Sequence, residues 1–341
     1  MTKKDFITGK EFSAKTLSDI IDLAISFKKS LKMASHSNKI ITLLFANPSL
    51  RTRLSFESGI KKIEGKVNVV SLSDTWNFEY RDGTVMDQDK QEHIKEAAQV
   101  ISKYSDLIAL RKSDLITTKN YHTNLSTWDE IKRDEAINAL AKYASVPVIN
   151  MESNMFHPCQ SLADMMTLFE QFKNVKKKKY VLTWTPHRKA LPLATAHSQL
   201  LTPALFGMDI ILTHPHGFDL DEDIVKFAKE QARRSGGSLK IIHDQKKAFK
   251  AADVVVAKSW ASLKYFDDLE KESAYRKQFQ NWIVDSEKMS LTNSAIFMHC
   301  LPLRRNVEVR DSVLESKQSF VIQEAENRMW VQMALIHYLL T

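Results

Sequence analysis

The chain has 341 residues, 43% of them hydrophobic and 26% charged, a balance that excludes a disordered or collagen-like protein and predicts two globular domains. Its formal net charge of +8, from 49 basic and 41 acidic residues, suits either nucleic acid or small anions as partners. No apolar run reaches the roughly 18 residues that a membrane-spanning helix needs, so no membrane partner is predicted.

Short apolar runs alternate with amphipathic stretches along the chain, which is the pattern of parallel sheets with crossover helices. In the first half, strands are predicted at 40–46, 67–72, 106–110 and 146–151. Helices of that half are predicted at 16–33, 52–63, 91–104 and 127–144. In the second half, strands are predicted at 180–184, 209–213, 239–243, 253–257 and 295–299. Helices are predicted there at 161–172, 220–234 and 330–340.

The two halves meet near residues 151–160, where a predicted strand ends in a polar stretch that contains His157 and Pro158. Each half is long enough to bury a core of its own. We therefore predict an α/β fold of two doubly wound parallel-sheet domains, with the active site in the cleft between them.

The most informative segment is Ser49-Leu50-Arg51-Thr52-Arg53, which follows the first strand and opens a helical pattern. Free backbone N–H groups and the helix dipole make a helix N-terminus a ready anion site. Two arginines and two hydroxyl groups add charge-assisted partners for a phosphate. An isolated Ser-x-Arg would be interpreted as a simple helix cap, but this density of polar groups after a buried strand favours an anion site.

Two further clusters also follow predicted strands. They are His157-Pro158-Cys159-Gln160 and His299-Cys300-Leu301-Pro302. A histidine can donate to a developing oxyanion, and a glutamine can hold a carbonyl or amide group. Taken singly, either histidine fits a helix cap as well. Ligands of open α/β sheets bind outside the carboxyl ends of the strands, where all three clusters are predicted to lie.

Together, Ser-x-Arg-Thr-Arg, His-Pro-x-Gln and His-Cys-Leu-Pro, in this order and at this spacing, resemble the aspartate/ornithine carbamoyltransferases over essentially the whole chain. The resemblance implies a carbamoyl-phosphate-binding domain at 1–152, joined by a C-terminal helix at 320–341. It implies an amino-substrate domain, here for an N-acylornithine, at 153–319. It also implies a homotrimer with active sites shared between subunits.

The resemblance further implies roles for individual residues. Carbamoyl phosphate would be bound by Ser49, Leu50, Arg51, Thr52, Trp76, Arg111, His157, Pro158, Cys159, Gln160, Cys300, Leu301 and Arg328. The catalytic residues among these would be Arg111, His157, Thr52 and Cys300. The first three would stabilise charge on the oxygen of the tetrahedral intermediate. Cys300 would position the incoming amine through its backbone carbonyl, and Trp76 would reach the active site of a neighbouring subunit.

The second substrate is indicated by Ala257-Lys258-Ser259-Trp260, where ornithine enzymes of the family carry an aspartate that binds the free α-ammonium. A lysine there would repel free ornithine and suit an acylated nitrogen whose acyl oxygen or nearby carboxylate needs a partner. The alternative is that Lys258 is an ordinary surface lysine. Other segments resemble the N-acylornithine branch, which implies acylornithine binding by Glu152, His187, Lys258, Leu301, Arg305, Gln91 and Glu308.

The acyl group is indicated by Gln91, at a position where acetyl-type enzymes tend to have Glu and succinyl-type enzymes Pro. Glutamine has the shape of glutamate, which favours acetyl, but it would not repel a succinyl carboxylate. Glu308 falls where acetyl-type enzymes can carry a carboxylated lysine, and it supplies an acidic group directly. The predicted reaction transfers the carbamoyl group of carbamoyl phosphate to the side-chain amine of N-acetyl-L-ornithine, in arginine biosynthesis. N-succinyl-L-ornithine and, less favoured, ornithine stay as alternative acceptors.

Other classes of protein fit the sequence less well. A nucleotide-dependent enzyme is disfavoured because the chain contains neither Gly-x-Gly-x-x-Gly nor a P-loop motif. A non-catalytic anion-binding protein would keep residues 49–53 but need not keep the other two clusters. Aromatic and basic residues do not interleave as in nucleic-acid binders, and the histidines lack metal-ligand spacing, so no nucleic acid, metal or other cofactor is predicted. Without a secretory signal pattern or a disulfide framework, a cytoplasmic location is expected.

Overall fold

The structure is a computed structural model, and it describes residues 3–30, 35–113 and 127–341. Within these ranges the chain forms two compact units. The first unit contains 3–30, 35–113, 129–159 and 328–341, and the second contains 127–128 and 160–327. The division falls after Cys159, inside a helix, whereas the boundary predicted from the sequence follows residue 152.

The chain up to residue 152 forms a four-stranded parallel sheet and a separate pair of short strands. Its strands are β1 (Ile40–Phe45), β2 (Lys66–Ser71), β3 (Phe78–Glu79), β4 (Glu92–His93), β5 (Leu107–Arg111) and β6 (Val148–Glu152). The main sheet has the order β2-β1-β5-β6, and β3 pairs with β4. The helices in this part are α1 (Ala14–Lys29), α2 (Leu50–Lys62), α3 (Ile94–Tyr104), α4 (Trp128–Ile131) and α5 (Glu135–Tyr143).

The rest of the chain forms a five-stranded parallel sheet with its helices. The strands are β7 (Lys179–Trp184), β8 (Asp209–Thr213), β9 (Ser238–Ile242), β10 (Val254–Lys258) and β11 (Ile296–Met298), in the order β11-β10-β7-β8-β9. The helices are α6 (Pro158–Gln171), α7 (Ala194–Leu205), α8 (Glu222–Arg234), α9 (Gln245–Phe249), α10 (Leu269–Arg276), α11 (Ser286–Met289), α12 (Asp311–Leu314) and α13 (Val321–Leu340). Short 3₁₀ helices cover Leu72–Asp74, Leu263–Tyr265 and Lys277–Trp282. The prediction of two parallel-sheet α/β domains is confirmed.

The crossover helices of a parallel sheet cover its faces and bury its inner strands, which therefore read as nearly continuous apolar runs. The edge strands β2 and β9 are largely exposed or half-buried. Every residue of β6 and of β10 is buried. Each unit has a core of its own, with Leu44, Ile108 and Leu140 in the first and Val255 and Phe297 in the second. No helix in the described part of the chain is both long and apolar enough to cross a membrane.

Two differences from the predicted helices have clear physical causes. The prediction of one helix over 127–144 is wrong, because Asp134 adopts a left-handed backbone conformation (φ 53°) between α4 and α5. Its carboxylate accepts from the backbone N–H groups of Asn154 at 2.9 Å and Met155 at 3.3 Å, which ties this break to the loop after β6. Helix α7 has no predicted counterpart. It is buried from Ala194 to Ala204, so it has no exposed polar face for a helical period to reveal.

Each main sheet reverses its strand order at one point. In the first sheet the reversal lies between β1 and β5, which pair Phe45 with Arg111 at their carboxyl ends. In the second sheet it lies between β7 and β10, which pair Trp184 with Lys258 there. Because ligands of open α/β sheets bind at such a reversal, each unit has one preferred place for a ligand.

Candidate active site

Helix α2 begins directly beyond the carboxyl end of β1. Ser49 is its N-cap, and the Ser49 hydroxyl accepts a hydrogen bond from the Thr52 backbone N–H at 3.3 Å. The first turn of α2 contains no acidic residue, while Arg51 within it is half-buried and Leu50 is 69% exposed. The free N–H groups and the positive dipole end at this position are therefore suited to an anion.

Thr52 is the point at which two guanidinium groups converge. Its side chain is fully buried, and its Oγ1 accepts from Arg328 Nη2 at 2.8 Å and, over a longer distance of 3.5 Å, from Arg111 Nη1. Arg111 ends β5, and Arg328 lies on α13. Two delocalised cations beside a helix N-terminus make a strongly positive corner whose geometry suits a phosphate group.

Glu152, the last residue of β6, compensates part of this charge. Its carboxylate forms an ion pair with Arg111 Nη1 and lies 3.6 Å from His157 Nε2. Arg111 Nε is buried and has no hydrogen-bond partner among the described residues, so one donor of this guanidinium is unused. A ligand oxyanion would supply the missing acceptor. Glu152 was predicted to bind the acylornithine, whereas its contacts are with Arg111 and His157, which were both predicted to bind carbamoyl phosphate.

Cys159 lies in the first turn of α6, which Pro158 begins. It is buried, and its thiol donates to the Asn150 carbonyl oxygen at 3.5 Å. Burial raises the pKa of the Cys159 thiol to about 12, against a smaller opposite effect of the Arg328 charge. Since the thiolate is the nucleophilic form, the Cys159 thiol is not suited to nucleophilic attack, and the predicted role of Cys159 in carbamoyl-phosphate binding stays a prediction.

Gln160 begins the long segment 160–327 of the second unit, and two buried carboxylates hold its side chain. Its Nε2 donates to Asp164 Oδ1 at 2.8 Å and to Glu324 Oε1 at 2.9 Å. The other oxygen of Glu324 accepts from the His299 backbone N–H at 2.9 Å. The His-Pro-x-Gln and His-Cys-Leu-Pro segments are thus connected through Glu324.

His299 and Glu308 form a buried pair beyond β11. His299 Nε2 lies 3.2 Å from Glu308 Oε1, and its Nδ1 lies 2.7 Å from the carbonyl oxygen of the half-buried Cys300. Both ring nitrogens face oxygen acceptors, so the ring satisfies both only when it is doubly protonated. Burial raises the pKa of Glu308, but the charge and hydrogen bond of His299, the charge of Lys258 and the Arg304 N–H together lower it to about 2. Glu308 is therefore ionised at neutral pH.

Lys258, His187 and Arg304 form a basic group at the ends of β7 and β10. Lys258 is buried, and its ammonium makes no hydrogen bond or ion pair within the part of the chain that the structure describes. His187 Nε2 accepts from Arg304 Nε at 3.0 Å, and its Nδ1 lies 3.0 Å from the carbonyl oxygen and 3.1 Å from the backbone nitrogen of Lys189. Burial, with the charges of Lys258 and Arg304, lowers the pKa of His187. The group is suited to bind a carboxylate.

Arg304 is the residue that the sequence analysis missed in this group. The residue chosen there, Arg305, is exposed and forms ion pairs with Asp311 and Glu315, both at 2.8 Å. Adjacent arginines in a loop look equivalent in sequence, and only the folded loop shows that Arg304 faces His187.

Trp76 and Gln91 lie around the short pair of strands β3 and β4. Within the described ranges, no contact joins them to the residues around Thr52 or to the basic group at the ends of β7 and β10. Trp76 is 51% exposed, and its Nε1 donates to Glu92 Oε2 at 2.6 Å. The Gln91 backbone N–H donates to the Asn77 carbonyl oxygen at 3.2 Å, and its side chain is exposed. Leu301 is half-buried next to Cys300. The predicted roles of Trp76, Gln91 and Leu301 stay predictions.

The chemistry of the two clusters differs. The residues around Thr52 offer cations and hydrogen-bond donors for a phosphate and an oxyanion. The basic group at the ends of β7 and β10 offers cations for a carboxylate, beside the buried pair of Glu308 and His299. Among the described residues, no group of three or more histidines, cysteines or carboxylates is arranged to hold a metal ion.

Comparison with known proteins links both units to one family. The family model "Aspartate/ornithine carbamoyltransferase, carbamoyl-P binding domain" matches residues 4–170, and the model of its "Asp/Orn binding domain" matches 193–339. The N-acetylornithine carbamoyltransferase of Xanthomonas campestris pv. campestris is 42% identical over 340 residues, 98% of this chain and 97% of its own. The N-succinylornithine carbamoyltransferase of Bacteroides fragilis is 36% identical over 292 residues, 85% of this chain and 84% of its own. A crystal structure of acetylornithine transcarbamylase complexed with acetylcitrulline matches with a TM-score of 0.92 at 42% identity, covering 98% of this chain and 99% of that one.

Proposed function

The chain belongs to the aspartate/ornithine carbamoyltransferase family and is a carbamoyltransferase, and we propose that its acceptor is the side-chain amine of N-acetyl-L-ornithine. The products are then N-acetyl-L-citrulline and phosphate. The observation that carries the proposal is the buried Lys258 at the end of β10, beside His187 and Arg304. Lys258 would repel the free α-ammonium group of ornithine, whereas the acylated nitrogen of an N-acylornithine is uncharged. The carboxylate of that substrate can pair with two cations, Lys258 and Arg304.

The cluster around Thr52 supports carbamoyl phosphate as the donor. Arg51, Arg328 and the start of α2 would bind the phosphate, and Arg111 and His157 would donate to the carbonyl oxygen. The acceptor amine attacks the carbonyl carbon, and negative charge on that oxygen then meets the unused Arg111 Nε donor. The C–O bond to phosphate breaks, and the departing phosphate can take up the amine proton. This route needs no enzyme nucleophile, in agreement with the high pKa of Cys159.

The basic group at β7 and β10 supports an N-acylated amino acid as the acceptor. Arg304 and Lys258 would bind its carboxylate, and His187, which accepts a hydrogen bond from Arg304 Nε at 3.0 Å, fixes the direction of the Arg304 side chain. The negative charge of Glu308 lies close enough to Lys258 to compensate a buried cation before the substrate arrives. We assign this role to Arg304 rather than Arg305, because Arg305 is engaged with Asp311 and Glu315.

N-succinyl-L-ornithine is the second candidate acceptor. The exposed Gln91 side chain is neutral and would tolerate a second carboxylate on the acyl group. The higher identity with an N-acetylornithine enzyme, 42% against 36% with an N-succinylornithine enzyme, favours the acetyl compound.

We also propose that the enzyme is a cytoplasmic homotrimer that serves arginine biosynthesis. Leu50 and Leu54, four residues apart on one side of α2, are 69% and 55% exposed. Exposed apolar side chains in a row favour a covering partner, and a second copy of the chain is the simplest one. Light scattering should give about three times the chain mass of 39.1 kDa, and a monomer would contradict this assembly.

The direct test is identification of the product by mass spectrometry after incubation with carbamoyl phosphate and N-acetyl-L-ornithine. We expect N-acetyl-L-citrulline and an equal amount of phosphate. Arg51→Ala serves as the matched control. This variant lacks a side chain that binds the phosphate, so it should neither bind carbamoyl phosphate in calorimetry nor form the product. Absence of product from the unaltered enzyme would refute the acceptor assignment.

A further inference from the structure

Two buried carboxylates surround the Gln160 side chain, and the proposed reaction assigns them no role. Gln160, Asp164 and Glu324 are 2%, 3% and 0% exposed. Gln160 Nε2 donates to Asp164 Oδ1 at 2.8 Å and to Glu324 Oε1 at 2.9 Å. Burying two acids costs free energy, which suggests that this arrangement is retained for more than packing.

The chemistry of these partners fixes the direction of the Gln160 amide. Carboxylate oxygens accept and cannot donate, so the NH₂ end of the amide must face both acids. The other carboxylate oxygens are occupied as well, because Asp164 Oδ2 accepts from Gln199 Nε2 at 2.8 Å and Glu324 Oε2 accepts from the His299 N–H at 2.9 Å. Both acids are therefore held in place. Gln160 Oε1 makes no hydrogen bond within the described residues and is left to accept one.

We propose that Glu324 and Asp164 are positioning residues that make the enzyme selective for the amide group of its donor. By holding the Gln160 NH₂ away from the donor, they present the carbonyl oxygen Oε1 to the carbamoyl –NH₂. A reversed amide would place two N–H donors opposite each other and lose this hydrogen bond. The same oxygen disfavours acyl phosphates that carry a methyl group in place of the –NH₂, with acetyl phosphate as the nearest analogue. The inference rests on the proposed function and on the binding of carbamoyl phosphate by Gln160 that the family resemblance implies.

The variant Glu324→Gln tests this role without changing the shape of the side chain. In the variant, the new amide oxygen at residue 324 accepts from the His299 N–H, as Glu324 Oε2 does in the unaltered protein. The NH₂ group at residue 324 then faces Gln160 and favours the reversed orientation of the Gln160 amide. Glu326→Gln, at an exposed position of the same helix, is the matched control for loss of one negative charge.

The measurement is calorimetric binding of carbamoyl phosphate and, separately, acetyl phosphate, without any acceptor. In Glu324→Gln, we expect the affinity for carbamoyl phosphate to fall about tenfold or more, while that for acetyl phosphate changes by less than about twofold. Glu326→Gln should bind both donors as the unaltered enzyme does. A parallel loss for both donors would show that Glu324 only maintains the fold, and unchanged binding of both would remove it from donor selection. Either result overturns the inference.

If Glu324→Gln fails to fold in a circular dichroism melt, Asp164→Asn provides the same test from the other side of the amide. Failure of the proposed function has a different signature, namely the absence of N-acetyl-L-citrulline from the unaltered enzyme. Because donor binding is measured without an acceptor, the two failures can be distinguished.

Discussion

Replacing Glu308 by glutamine removes one negative charge from a buried, positively charged surrounding. Glu308 lies 3.2 Å from His299 Nε2, and its second oxygen accepts from the Arg304 N–H at 2.7 Å. The positive charge of Lys258 also lowers the pKa of Glu308. Glutamine keeps the shape of the side chain but leaves His299 and Lys258 without a compensating charge, so the variant should be less stable.

The pKa of Glu308 sets the size and the pH dependence of this effect. In the folded protein it is about 2, below the ordinary value of 4.5, so the unfolded chain takes up the proton first as the pH falls. The stabilisation by this carboxylate is therefore fully present above about pH 5 and is lost as the pH falls from 4.5 towards 2. The whole shift corresponds to roughly 3 kcal/mol of unfolding free energy, and each pH unit below 4.5 removes roughly 1 kcal/mol.

The assay is urea unfolding of the unaltered protein and Glu308→Gln at pH 7 and pH 3.5. We expect the variant to be less stable by roughly 3 kcal/mol at pH 7, and this difference in stability to narrow by roughly 1 kcal/mol at pH 3.5. Glu315→Gln, which removes an exposed partner of Arg305, should cost less than about 1 kcal/mol at both pH values. If the difference in unfolding free energy between the unaltered protein and Glu308→Gln stays constant or widens on acidification, the Glu308 carboxylate does not stabilise the fold through its lowered pKa.

Three further predictions concern single side chains. Arg304→Ala should raise the KM for the acylated acceptor at least about tenfold in steady-state assays, whereas Arg305→Ala should leave it within about twofold; equal effects would contradict the assignment of Arg304. Lys258→Asp should lower the turnover of N-acetyl-L-ornithine, and unchanged turnover would remove this lysine from acceptor selection. With a chromogenic thiol reagent at pH 8, we expect at most Cys300 to react in the native enzyme and both thiols after unfolding; rapid reaction of Cys159 in the native state would contradict its burial.

The strands are the part of this fold that the hydrophobic pattern predicts well. The prediction of a strand at 209–213 coincides with β8, and that at 180–184 with all but the first residue of β7. A strand of a parallel sheet is buried on both faces, so it reads as a short apolar run whose end is easily found. Because polar motifs follow those ends directly, the positions of Ser49 and His157 could also be predicted.

Helices that bury polar residues were harder to predict. The hydrophobic pattern predicted the final helix only from residue 330, whereas the family resemblance implied a helix at 320–341, close to the observed α13 (Val321–Leu340). Its first turns contain Glu324, Asn327 and Arg328, all buried, which interrupt the apolar stripe on which a helical pattern depends. Local pattern therefore fails where the helix supplies charged side chains to the candidate site.

The candidate site was predicted in part through motifs and in part not at all. Thr52, Arg111 and Arg328 follow from the family resemblance, and the structure brings them together around one hydroxyl group. The carboxylates of Asp164 and Glu324 carry no motif, because their importance arises only when Gln160 folds between them. Pairings of this kind depend on tertiary structure, which a single sequence does not display.

The buried cation Lys258 is proposed to select an N-acylated acceptor. The most direct measurement is kcat/KM for N-acetyl-L-ornithine, N-succinyl-L-ornithine and ornithine, with the same enzyme and saturating carbamoyl phosphate. We predict that N-acetyl-L-ornithine is the best acceptor and that ornithine is inert or nearly so. Turnover of ornithine equal to or above that of both acylated compounds would contradict the role of Lys258, even though carbamoyl transfer itself would stand.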